Sequence, residues 1–337
     1  MNKKNICILY TGGTIGMVQT KKGFSPKPHW LSDKLHSIHL FKNKAVPNFT
    51  IIEYENLIDS SNAQPSDWVR TASDIIKYYN DYDGFIVLHG TDTLAYTASA
   101  LSFMLENLGK PVICTGSQIP LSEIRTDAID NVLDSLIIAA NYEIPEVCIY
   151  FGKKLLRGNR TQKTDASAVS AFQSPNFPKL GEVGIDIKIK NDLLQPKPLK
   201  PIKLNVIKSA KVAILSIFPG IDFKIFDQIL CHPLEGLVLK TYGAGNIANS
   251  TQNLKVLKKA TEQGIIIVNC TQCVRGTVNM KSYATGQSLL ESDVISGYDL
   301  TDEAALTKLY YLLSLGLTNR QIKKKMQENI RGELTKI

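Results

Sequence analysis

No stretch of this 337-residue chain reaches the ~18 consecutive apolar residues that a membrane-spanning helix requires. Its opening, MNKKNICILYTGG, sets two lysines before only five apolar residues, short of the ~7–15 that form the core of a secretory signal. A cytoplasmic location is therefore expected. Six cysteines in a chain of this length do not make a disulfide framework, and reduced thiols follow. The one C-x-x-C pair, Cys270 and Cys273, has no second pair and no nearby histidine to complete a zinc site, so no metal is expected. Histidine is scarce: His29, His36, His39, His89 and His232 are the full set of five. With no G-x-S-x-G elbow to serve, His89 reads as a structural residue at a strand end. Acidic residues are outnumbered 31 to 39, leaving a net charge of +8. The basic residues are spread along the chain, and the densest run, Lys323-Lys324-Lys325, reads as a solvated helix face. Without interleaved aromatics it points to no nucleic-acid partner.

What the chain does have is material for a sizeable core, with 44% hydrophobic residues, and a length that suggests about two domains. Short β-prone runs at Ile6–Tyr10, Phe49–Tyr54, Gly84–His89, Pro111–Thr115 and Val147–Phe151 alternate with helical patterns. Those patterns cover Asp67–Tyr79 with Ser66 as N-cap, Thr93–Leu108 with Gly109 as its stop, and Asp127–Ala140. Such alternation implies parallel βαβ units with helices on both faces of a sheet. Residues 188–210, KIKNDLLQPKPLKPIKLNVIKSA, are rich in lysine and proline, have no helical period and read as a linker. The alternation then resumes with strands at Val212–Ile217, Gly236–Lys240 and Gly264–Asn269, and helices at Thr301–Leu315 and Thr318–Ile330. The expected architecture is α/β in two domains. A larger N-terminal domain, residues 1–187, has a parallel-rich sheet flanked by helices, and a smaller C-terminal α/β domain spans 211–337.

Ligands of open α/β sheets bind beyond the carboxyl ends of strands. Four polar clusters fall at such ends: TGGTIG (11–16), DSS (59–61), HGTDT (89–93) and RGNRTQKTD (157–165). The first has the look of a phosphate cradle, but Gly12, Gly13 and Gly16 give G-G-x-x-G rather than the dinucleotide fingerprint, and no G-x-x-x-x-G-K-[ST] is present. The glycines instead leave the Thr14 hydroxyl at a strand end, where it either caps a turn or is presented for chemistry. Thr91 and Asp92 repeat the pattern, and either cap a helix or act together. Lys163 is a surface salt-bridging residue if it stands alone; beside Asp92 it can relay a proton from a threonine hydroxyl. A threonine is a weak nucleophile at neutral pH and needs such an activator.

Taken together, TGGTIG, HGTDT, TGSQIPLSEIRTD (115–127) and GNRTQKT (158–164) resemble the L-asparaginase family, closest to its cytoplasmic, bacterial type I branch. TASALSFMLENLGKPV (97–112), SPNFPKLGEVG (174–184) and TQCVRGTVNMKSYATG (271–286) extend the resemblance over nearly the whole chain. The resemblance implies hydrolysis of L-asparagine to L-aspartate and ammonia, without cofactor, at the carboxyl ends of the N-domain strands. It implies Thr14 as nucleophile and Thr91, Asp92 and Lys163 as a second catalytic group. It also implies Asp59, Ser60 and Ser61, with Gly90, as the grip on the substrate's α-amino and α-carboxylate groups. Self-association as a homodimer or homotetramer is implied as well. Both attack by Thr14 and attack by a water that Thr91 activates are compatible with these residues. Alternatives are a broader glutaminase-asparaginase, the amidase component of a tRNA-dependent amidotransferase, or an amino-acid or nucleotide sensor without activity. The start of the motif at residue 11 weighs against the amidotransferase, which usually carries an extra N-terminal domain. The four catalytic-type residues together weigh against the sensor.

Two departures from the family pattern stand out. The loop after the glycines carries Gly23-Phe24 where many relatives have Gly-Tyr, so the covering side chain lacks a hydroxyl. Some type I relatives bind a second asparagine at an allosteric site; Ser117, Asn246 and Cys273 match it here. But Gln162 stands where a threonine is expected and Lys240 where an arginine is expected. Lysine lacks the bidentate grip of a guanidinium on a carboxylate.

Overall fold

The computed structural model describes residues 3–21, 23–223, 225, 234–248, 250–281 and 284–336. They form two compact units, Met1–Leu204 and Asn205–Ile337. Among the described residues no helix is long and apolar enough to cross a membrane.

The first unit opens with β1 (Asn5–Gly12), the hairpin β2 (Met17–Thr20) and β3 (Gly23–Pro26), and α1 (Trp30–Ser37). Then come β4 (Asn48–Ile58), α2 (Pro65–Lys77), β5 (Gly84–Leu88), α3 (Leu94–Met104), β6 (Leu105–Glu106), β7 (Val112–Thr115), α4 (Ala128–Asn141), β8 (Val147–Phe151) and β9 (Lys154–Arg157). Short strands follow: β10 (Gln162–Lys163), β11 (Phe172–Gln173), β12 (Gly181–Val183), β13 (Ile187–Ile189) and β14 (Lys203–Leu204). The main sheet runs β13-β12-β9-β8-β7-β5-β1-β4. Its five central-to-edge strands β8, β7, β5, β1 and β4 pair in parallel, as alternation implied, but β9, β12 and β13 continue it antiparallel. The antiparallel turn needs only Gly152 and Lys153 between β8 and β9, both at positive φ, where a parallel return would need a crossover.

Ile6, Ile8 and Tyr10 of β1 point to one face with Ile86 and Leu88 of β5, and pack there with Leu31 and Leu35 of α1 and Val132 and Leu136 of α4. Cys7, Leu9, Phe85 and Val87 point the other way and are equally buried. Burial on both faces is why these strands read as continuous apolar runs instead of alternating ones.

Three local expectations are corrected. The cap of α2 is Gln64, whose capping box with Asp67 takes the helix start one residue upstream of Ser66 and puts Pro65 in the first turn. The long helix expected to reach Leu108 stops at Met104, because Leu105–Glu106 leave it to pair with Lys203–Leu204. Those partners lie in the segment expected as linker. Residues 188–204 belong to the first unit, with Ile187–Ile189 an edge strand against β12; only 205–210 fall in the second.

The second unit holds a four-stranded parallel sheet of β15 (Val212–Ser216), β16 (Gly236–Thr241), β17 (Ile266–Thr271) and β18 (Ile295–Ser296), in that order. Leu237, Leu239 and Ile267 form its core with Val256, Leu257 and Leu289 of flanking helices. The helices Asp302–Leu313 and Asn319–Met326 are capped by the Thr301 and Thr318 hydroxyls, which accept from Ala304 N and Gln321 N. Within the lysine run, Lys324 is solvated but Lys323 is largely covered and ion-paired with Asp293.

Candidate active site

The carboxyl ends of β1, β4 and β5 meet at the glycine turn. Gly13 has φ 89, and a Cβ there would lie 2.3 Å from the amide nitrogen of Gly90. Only glycine permits this conformation together with this approach, which lays the turn carrying Thr14 directly against the HGTDT segment. The Gly13 N–H also donates to Ile58 O at 3.1 Å, fixing the turn to the end of β4. Thr14 then opens a one-turn 3-10 helix, Thr14–Gly16, and is half-buried.

Beyond β4 the chain makes a second such turn, Ser60–Asn62, in which the Asp59 carboxylate accepts from Ser61 N at 3.1 Å. Ser60 is buried, while Asp59 and Ser61 are exposed. Thr93 ties this turn to the end of β5 by donating its hydroxyl to Ser60 O at 2.7 Å. Ser60 therefore abuts Gly90, against which the turn carrying Thr14 is laid, with Asp59 and Ser61 flanking it in the chain.

Lys163 reaches the same place from β10, a two-residue strand that pairs it with Phe172 of β11. Its Nζ donates to Thr91 Oγ1 at 2.9 Å and to Asp92 Oδ1 at 2.7 Å. Thr91 is buried, the lysine side chain is 19% exposed and Asp92 is 62% exposed. Of this triad the carboxylate is the member most open to a solute. The Thr91 hydroxyl, receiving from Lys163, gives its own proton to Gln118 Oε1 at 2.8 Å.

Gln118 was not among the residues singled out from the sequence. Its side-chain amide is oriented by Ala166 O and Ala168 O, each at 3.3 Å, and its main-chain N–H by the Asp127 carboxylate at 3.1 Å. It lies inside TGSQIPLSEIRTD, but a glutamine after a strand has no local signal to separate it from an ordinary turn residue. His89, by contrast, is spent on structure. Its Nδ1–H donates to Gly90 O at 2.7 Å and Nε2 accepts from Thr97 at 3.0 Å. Burial holds its pKa below the usual imidazole value, so the ring stays neutral.

Phe24 lies on the β2–β3 hairpin opposite Gln19, 46% exposed, with Gly23 at φ 103 starting β3. The residues matching an allosteric site are split between the units. In the first, Ser117 is buried with no hydrogen-bond partner for its hydroxyl among the described residues, and Gln162 pairs with Gln173. In the second, Lys240 is ion-paired with Asp302, Asn246 bridges to Tyr242, and Cys273 is exposed.

Residues 5–195 match the family model described as Asparaginase, N-terminal, and residues 211–326 match the Glutaminase/Asparaginase C-terminal domain. The chain is 49% identical over 335 residues to L-asparaginase 1 of Escherichia coli (strain K12), covering 99% of each. It is 33% identical over 333 residues to L-asparaginase of Thermococcus kodakarensis, covering 98% of this chain and 99% of that one. The crystal structure of L-asparaginase I from Vibrio cholerae matches with a TM-score of 0.93 at 46% identity, over 99% of this chain and 100% of that one. Both halves of the chain, its motifs and its fold agree with its type I relatives, and the protein belongs to the asparaginase family.

Proposed function

We propose that the protein hydrolyses L-asparagine to L-aspartate and ammonia, with Thr14 as nucleophile and Thr91, Asp92 and Lys163 as the proton-handling group. The observation that carries this reading is the pair of bonds from Lys163 Nζ to Thr91 and Asp92 beside the Thr14 turn. Free asparagine is a zwitterion. Ser60, with neighbouring main-chain N–H groups, holds its carboxylate; Asp92, the exposed member of the triad, holds its ammonium, with Asp59 and Ser61 completing the grip. Fixing both ends sets the distance to the side-chain amide and disfavours the longer glutamine.

Thr14 Oγ then attacks the amide carbon. Main-chain N–H groups at the glycine turn stabilise the oxyanion, each good donor contributing ~3–4 kcal/mol. Ammonia leaves with a proton, an aspartyl ester remains on Thr14, and a water cleaves it. Thr91, held between Lys163 and the Gln118 carbonyl, passes the protons. Self-association and a cytoplasmic setting belong to the same reading. Ammonia release from asparagine and from glutamine tests it: asparagine is the preferred substrate, and equal kcat/KM for both would replace it with a broader glutaminase-asparaginase.

The Phe24 position yields a direct expectation. Phe24 stands where the family's covering tyrosine is expected but supplies no hydroxyl, so Phe24→Tyr raises kcat by about 5–10-fold, the worth of one hydrogen bond of ~1–1.5 kcal/mol. An unchanged kcat makes the missing hydroxyl irrelevant. Regulation follows from Lys240 and Gln162. The Lys240 ammonium is already engaged by Asp302 and cannot grip a carboxylate bidentately. Steady-state rates against asparagine concentration are expected to be hyperbolic, and a clearly sigmoidal curve would overturn this.

A further inference from the structure

Two buried polar atoms of the first unit take no part in the machinery above. Tyr10 Oη and Glu53 Oε2 are both buried without a hydrogen-bond partner among the described residues. Leaving such groups unpaired is unfavourable, and each calls for a reason. The two residues are register partners on the adjacent strands β1 and β4. Burial first, and the Glu53 charge second, push the Tyr10 hydroxyl above its usual pKa, so it stays protonated.

What these side chains touch is more telling. A Cβ on Gly16 would lie 1.9 Å from Tyr10 Oη, so the tip of the tyrosine is the floor of the Thr14–Gly16 turn. The other oxygen of Glu53, Oε1, accepts from the main-chain N–H of His29 at 2.7 Å. His29 is a non-glycine residue at φ 60, immediately before α1. That conformation is costly and persists where the surroundings hold it. The β2–β3 hairpin leaves the fold after Gly16 and rejoins it at His29. Both its roots thus rest on one pair of side chains, and Phe24 lies on the hairpin between them.

We infer that Glu53, backed by Tyr10, is a positioning residue that holds the Phe24 hairpin in place relative to Thr14 through the His29 amide. The inference rests on the asparaginase reading of Thr14. Without the latch the covered state of the site is populated only part of the time. Apparent affinity then falls by that fraction, while saturating substrate restores the covered state and with it kcat.

Glu53→Gln keeps an oxygen for the His29 N–H and turns an amide N–H toward the Tyr10 hydroxyl, so kcat and KM stay within twofold of wild type and the melting temperature rises. Glu53→Ala has neither. Its KM for asparagine rises about tenfold with kcat within threefold, and amide hydrogen exchange over residues 17–29 accelerates at least tenfold while β16 exchanges as before. Wild-type KM and wild-type exchange over 17–29 in Glu53→Ala would overturn the inference, as would a Glu53→Gln protein as impaired as Glu53→Ala. A wild-type protein that releases no ammonia sinks the asparaginase reading instead, and leaves the exchange comparison to decide the latch on its own.

Discussion

Thr14→Ala lowers ammonia release from asparagine by on the order of 10⁴-fold or more, because no other group in the site replaces the nucleophile. Lys163→Met lowers it by about 10²–10⁴-fold, the usual worth of a positioned proton-transfer group. KM changes little in either, since the proposed grip on the α-groups is left intact. The two losses do not add: with the nucleophile gone the lysine has no proton to manage, so the double variant is no slower than Thr14→Ala. Neither change threatens the fold. Thr14 is half-buried at a turn, and the carboxylate that Lys163 leaves behind, Asp92, is 62% exposed and hydrated. Comparable rates in wild type, Thr14→Ala and Lys163→Met would end the nucleophile model. Loss in Thr91→Ala but not in Thr14→Ala would move the attack to a water activated by Thr91.

The largest stability effect is expected far from any of these residues in sequence. Lys308 and Glu333 are both fully buried, 2.5 Å apart. The ammonium also donates to Met326 O at 3.0 Å and Glu328 O at 2.5 Å, so each of its three protons has an acceptor. Glu333 in turn accepts from Ile330 N at 3.0 Å and Arg331 N at 2.6 Å. This cluster closes the C-terminal tail onto the helix Asp302–Leu313. Removing one partner of such a pair strands a buried charge. Lys308→Met therefore costs about 3–5 kcal/mol, which in a unit of this size lowers its melting midpoint by ~10–20 °C. Lys308→Met with Glu333→Gln removes the stranded charge while keeping an acceptor for the tail amides, and recovers a large part of the loss. Thermal unfolding of the two variants checks this. If the double variant melts no higher than Lys308→Met, the charge is not what the pair protects.

Lys308 also marks where reading along the chain stops. In DEAALTKLYYLL it looks like any lysine on an amphipathic helix, and nothing within several residues announces the carboxylate that neutralises it 25 positions later. Gln118 is a similar case: its role depends on Thr91, Ala166 and Ala168, none of them near it in sequence. The end of α3 is a third. Residues 105–108 keep a helical pattern, and it is the pairing with Lys203–Leu204 that takes Leu105 and Glu106 out of the helix. The same pairing turns part of an apparent linker into packed structure.

Other features depended on short-range chemistry alone and were legible for that reason. The threonine caps at Thr301 and Thr318 act over three residues. The apolar runs of β1, β5, β7 and β8 declare strands buried on both faces. The glycine spacing after β1 rules out a phosphate cradle and leaves a threonine in view. Side-chain partners, by contrast, are chosen by long-range contact. Strand order, the antiparallel β9, the meeting of Lys163 with Thr91 and Asp92 across 72 and 71 residues, and the burial of Tyr10 beside Glu53 all arise when distant segments pack. The local chain could nominate Thr14; the packed fold supplies what surrounds it, because hydrogen-bond partners and dielectric environment belong to the assembled sheet and not to any one segment of it.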